Sequence, residues 1–148
     1  MAVIDVAKFE HFFRVAASLD VDREDVRRYE EFVNEKIADF LIRAQAIARA
    51  NVRDLIEPQD LPVTKGIAIC EHEFDHIDRE IGMRALLADL LVKPPNIDYT
   101  DETERRLPSI AGGLSVALAR SFPILDPNVK NPQQTQWDRA RRLFALLV

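Results

Sequence analysis

Apolar residues recur at Val26, Tyr29, Val33, Ile37, Phe40, Ala44 and Ile47, the three-and-four spacing of one helix face, with polar residues between them. Asp22 reads as the N-cap of this helix, and Asp25 three residues on as an imperfect capping-box partner. Val21 and Val26 occupy the staple positions. Read to Asn51, the helix spans roughly 40 Å at about 1.5 Å per residue, long for a small domain. A shorter helix precedes it over 6–17, and another follows over about 58–69. The order is short, long, short.

The second half repeats that rhythm loosely. Residues 71–92 carry Phe74, Ile77, Ile81, Ala85 and Ala88 on one stripe and should stop before Pro94-Pro95. Asp101 with Glu104 marks another start, leading into Leu107, Ile110, Ala111, Leu114, Ala117 and Leu118, with an expected end before Pro123. Pro108 should kink or shorten this helix. After a proline-rich loop, Asn131 caps a last helix with Pro132 at its first position, and Trp137, Ala140, Phe144 and Leu147 form its apolar face. We therefore expect an all-α chain, one compact domain over 1–148. It comprises an N-terminal half (1–69) and a degenerate internal repeat (70–148).

The stretch Ile47-Ala48-Arg49-Ala50-Asn51-Val52-Arg53-Asp54-Leu55-Ile56-Glu57-Pro58-Gln59-Asp60-Leu61 resembles the second loop of a histone fold, most of all that of the archaeal histones. There an Ala-Arg helix end leads through a loop Arg to an apolar pair, and a Glu/Gln-Asp-Ile/Leu opens the third helix. The resemblance covers about residues 6–67. It implies that Arg53 and Asp60 form a structural salt bridge, and that two helix triplets in one chain clasp head to tail as an intramolecular pseudodimer. A tandem (doublet) histone-fold protein follows from that reading. The physics favours fusion: a short–long–short unit has no closed core, and joining two raises the effective concentration of each for the other.

Charge changes the functional expectation. The chain has 148 residues with 20 basic and 25 acidic side chains, a net charge of −5 and a sequence pI near 5.2. Duplex DNA draws most of its affinity from Lys and Arg against phosphate. Arg14, Arg23, Arg27 and Arg28 are candidate DNA contacts, with Arg139-Arg141-Arg142 a second cluster, but Glu24, Asp25, Glu30, Glu31 and Asp138 interleave with them as on a solvated helix face. Against the family pattern, Asp20 stands where the first loop supplies an Arg to DNA, and Leu55 replaces the loop Thr; His11 and Arg14 keep part of the first helix's basic surface. The expected role is non-enzymatic association with itself or another protein. A DNA-binding architectural role is the alternative.

One motif points elsewhere. His72-Glu73-Phe74-Asp75-His76 satisfies His-Glu-x-x-His, which on a helix sets two imidazoles on one face for zinc with Glu as general base, and Cys70 is nearby. A small zinc hydrolase would need a third ligand, and only carboxylates such as Asp89 or Glu102 are on offer. Pairing of these histidines with Asp75, Asp78 or Glu80 on a polar helix face is the competing explanation. Gly113-Leu114-Ser115-Val116-Ala117 lacks the final Gly of a nucleophile elbow and reads as close helix packing. No cofactor is expected. The single cysteine, the absence of a signal-like N-terminus and the lack of a long uncharged apolar run lead us to expect a cytoplasmic protein with no membrane partner.

Overall fold

The computed structural model describes residues 5–148, so the sequence reading of positions 1–4 lies outside it. Among the described residues the chain is all-helical. Its helices are α1 (Val6–Ala17), α2 (Arg23–Ala50), α3 (Lys65–Ile81), α4 (Met83–Leu90), α5 (Asp101–Leu125) and α6 (Gln134–Leu147), with a single 3-10 turn at Pro58–Asp60. Asp22 caps α2 as expected, its carboxylate accepting from Glu24 N–H, while Asp22 N–H donates to the Asp25 carboxylate. The helix runs 28 residues and buries Tyr29, Phe32, Val33, Ile37, Phe40, Leu41, Ala44 and Ala48.

The core is built around α5. It buries fourteen of its 25 residues and touches α1, α2, α3, α4 and α6. By length and composition α5 is apolar enough to cross a membrane, and 78% of its apolar window lies inside this helical core. Aromatic rings fill the space between α1 and its neighbours: Phe9, Phe13 and Tyr29 cluster with centroids 5.0–5.7 Å apart, and Phe12 meets Phe74. Tyr29 and Ser115 hydroxyls lie 2.6 Å apart, joining α2 to α5 in the interior.

The second half departs from the expected boundaries. The expected third helix over 58–69 is one 3-10 turn, a non-helical segment, and then the start of α3, whose N-cap is Thr64. The expected division at 69/70 falls inside α3. Residues 71–92 are not one helix: Gly82, at φ 75°, ends α3 in the left-handed conformation and α4 begins at the next residue. The helix α5 passes through Pro108 and Pro123 instead of ending early. Each proline removes one backbone donor, yet Leu107, Ser109, Ile110, Ser121 and Phe122 are buried around them and hold the helix together. The last helix starts at Gln134 with Gln133 as its cap, while Pro132 is buried in the loop before it.

Where α3 crosses α5, glycine sets the distance. A Cβ on Gly112 would stand 2.3 Å from the Phe74 ring, and one on Gly113 would stand 2.8 Å from Glu71 Cγ. The same crossing carries a buried polar cluster in which Glu71 accepts from Arg106 (2.5 and 3.2 Å) and from Ser109 (2.8 Å).

Candidate functional site

Loops meet at two places, and in each the loop leading into one long helix pairs with the loop trailing the other. In the first, Asp20 N–H donates to Lys130 C=O at 2.6 Å. In the second, Ile56 N–H donates to Asp98 C=O and Thr100 N–H to Ile56 C=O, both at 3.1 Å, making an isolated parallel bridge between Ile56 and Tyr99. The Thr103 hydroxyl adds a bond to Ile56 C=O at 2.8 Å.

The Ile56 loop is held by the pair that the sequence singled out. Arg53 donates through both terminal nitrogens to the Asp60 carboxylate, at 2.5 and 2.7 Å, and Asp60 also accepts from Glu57 N–H at 2.9 Å. The Arg53 hydrogen bond, foremost, holds the Asp60 carboxyl below the usual aspartate range. The Asp60 side chain is 1% exposed and the Arg53 side chain 29%. The loop after α5 repeats only the backbone half of this construction. Gln133 N–H donates to Gln136 Oε1 at 2.8 Å, and Gln136 reaches Asp126 at 3.4 Å, so a neutral amide stands where Asp60 stands in the first loop.

Trp137, in the first turn of α6, donates its indole N–H to Asp25 at 3.0 Å, and Arg28 donates to the same carboxylate oxygen. Asp25 thus completes the capping box of α2 and also accepts the buried indole N–H carried by α6. Burial, the largest influence, raises its carboxyl above the ordinary aspartate value.

The family described as a domain of unknown function (DUF1931) matches residues 9–145. The chain belongs to it. An uncharacterized protein of Aquifex aeolicus is 27% identical over 108 residues, 72% of this chain and 63% of that protein, so the chain spans less than two thirds of that relative. A crystal structure of a Thermus thermophilus protein is similar at 40% identity with a TM-score of 0.85, covering 98% of this chain and 99% of that one. A 1.9 Å crystal structure from Aquifex aeolicus shares the fold at a TM-score of 0.82 and 21% identity, covering 96% and 94%.

Of the remaining candidates, few are brought together. Arg14 and Arg23 are exposed beside the first loop pair, Arg14 at 4.0 Å from Asp20. Arg27 is paired with Glu31 through Nε and Arg28 with Asp25 through one terminal nitrogen, so each has a carboxylate beside it that offsets its charge toward phosphate. Arg141 bonds Glu35 at 2.7 Å. The second loop pair is mostly acidic: Glu57, Asp101 and Glu102 line an open hollow of about 450 Å³ together with Arg105, and Glu57 is paired with Arg53 at 3.0 Å.

His72 and His76 lie together on the exposed face of α3, while Cys70 is half-buried, its thiol pushed up by burial. Glu73, the general-base position of the motif, is paired with Arg120 of α5. Among the described residues no group of three or more His, Cys, Asp and Glu side chains could hold a metal ion, so neither Asp89 nor Glu102 completes a zinc site. Between α2, α4 and α5 lies a cleft of about 100 Å³, below the few hundred Å³ typical of small-molecule sites. Sequence reasoning missed the Asp25–Trp137 and Glu71–Arg106–Ser109 contacts. The one available signal was chemical: a buried indole N–H requires an acceptor.

Proposed function

We propose that this chain is a histone-fold pseudodimer without catalytic activity that works by associating with a second copy of itself. The observation that carries the fold reading is the reciprocal loop pairing, 18–22 with 126–133 and 51–57 with 91–100. Two helical units clasped head to tail would meet in that relation at both ends, with the third element of the first unit reduced to the turn Pro58–Asp60 and the start of α3. The matched backbone bonds at Glu57/Asp60 and Gln133/Gln136 add to it.

The association reading rests on exposed apolar side chains in the last turn of α6 and on α2. Leu146 and Leu147 are 84% and 70% exposed, and Ile42 on α2 is 57% exposed. Leu147 lines a small cleft with Phe40 and Arg43. Leu147 was expected on the apolar face of α6 with Trp137, Ala140 and Phe144; its side chain is instead mostly exposed, and large exposed apolar groups are the raw material of contact surfaces. In size-exclusion chromatography with light scattering, the wild-type chain should show a mass that rises with concentration toward twice 16.9 kDa, and Leu146→Lys with Leu147→Lys should hold it at the monomer mass with unchanged helicity. A strict monomer at all concentrations ends the reading.

The DNA alternative draws on Arg14, Arg23 and Lys130 around the first loop pair, but Asp20, Asp22 and Asp126 share that surface and the other pair is acidic. A gel-shift titration at low salt should show no retarded band at micromolar protein. A band that weakens steeply as salt rises would instead establish phosphate contacts.

A further inference from the structure

We infer that His72 and His76 form a surface chelate for a late first-row divalent metal, with zinc as the reference ion. The two residues stand one turn apart on α3, four positions being neighbours on a helix, and both are exposed. Their Nε2 atoms face each other at 3.4 Å, with ring centroids 4.9 Å apart and planes nearly perpendicular. Two nitrogens each about 2.0–2.1 Å from a tetrahedral zinc are separated by roughly 3.3–3.4 Å. The imidazoles therefore already stand at the edge length that the metal requires, and coordination replaces one nitrogen–nitrogen contact with two metal bonds.

Among the described residues no carboxylate stands within ion-pair distance of either imidazole, and Asp78, like Asp75, is held by Arg84. Asp75 is paired with Arg84 and Glu73 with Arg120. Imidazole nitrogen suits zinc, copper and nickel better than magnesium or calcium, which take oxygen. This site is not the hydrolase centre of the sequence motif. With two protein ligands, water or a donor from another molecule fills the remaining positions, and Glu73 is held away by Arg120. Zinc bound here bridges one turn of α3 and stabilises that turn.

The test is equilibrium dialysis of the full chain against zinc chloride at neutral pH, with metal content measured after dialysis. The wild type should retain one zinc per chain. His72→Ala and His76→Ala should each weaken binding by at least about tenfold, because one imidazole makes no chelate and loses the effective concentration supplied by the other. His11→Ala, which removes the one histidine outside the pair, should bind as wild type. Both imidazoles are exposed, so circular dichroism should show every variant folded. As a second readout, zinc should move the imidazole signals of two of the three histidines in nitrogen-resolved spectra. No retained zinc at 100 µM, or retention equal to wild type in a chain carrying both His72→Ala and His76→Ala, overturns the assignment.

Discussion

Alanine at position 112 is expected to destabilise the protein, although alanine is the better helix former. In an exposed helix interior, Gly→Ala gains about 1 kcal/mol. Here the added methyl would lie 2.3 Å from the Phe74 ring, far inside van der Waals contact. That ring is fully buried, packs against Phe12 and lies under the Arg84 guanidinium, so it has no free volume to turn into. The crossing of α3 and α5 must open instead. Overpacking of this kind costs about 1–3 kcal/mol and here must also exceed the propensity gain. At this chain length each kcal/mol moves the melting temperature by about 2–4 °C. Phe74→Leu alone should also destabilise, by leaving part of the ring's space empty. The decisive result is the pair: with leucine at 74, Gly112→Ala should cost much less than in the wild type, a coupling characteristic of residues in contact. Additive effects in thermal and urea melts would show that the crossing does not depend on this glycine.

The same crossing explains how much of the fold the sequence made legible. The helix α2 was readable almost to the residue, because a strong apolar period and a capping box agree on its limits. Its successor was not. Phe74, Ile77, Ile81, Ala85 and Ala88 continue one three-and-four spacing across Gly82, and a period that survives a break cannot reveal it. Only the left-handed conformation of Gly82 separates α3 from α4. Proline misled in the other direction. Pro108 and Pro123 are helix-breaking by local rules, and burial along α5 overrides them.

The candidate site divides along the same line. Arg53 and Asp60 are seven residues apart, and a loop of that length can be inspected by eye. Asp25 and Trp137 are separated by 112 positions, a relation only the assembled fold creates. The clustering of His72 with His76 was visible because helix geometry makes it local, whereas the pairing of Glu73 with Arg120 spans 47 positions and was not.

Removing Asp60 should produce the second large effect, with a pH signature of its own. Asp60→Ala breaks two bonds from Arg53 and one from Glu57 N–H, and loosens the loop that carries Ile56 to its bridge with Tyr99. For a nearly buried carboxylate, lost charge-assisted bonds cost about 1–3 kcal/mol; the partly solvated Arg53, which keeps Glu57 as a partner, places the expectation in the lower half of that range. The Asp60 carboxyl is depressed in the folded state, first by the Arg53 hydrogen bond. Its stabilisation is therefore fully present above the unfolded aspartate value of about 3.9, and is lost as pH falls through the lowered folded value. Asp25 has the opposite sign: burial raises its carboxyl, so its contribution to stability grows as pH falls through that raised value. Urea unfolding of wild type and Asp60→Ala at pH 7 and again near pH 3 separates the two. The gap between the proteins should be wide at pH 7 and narrow in acid. A gap that is independent of pH would mean that Asp60 acts through its shape in the loop and not through its charge on Arg53, and the ion pair would then have no part in holding the loop against its partner.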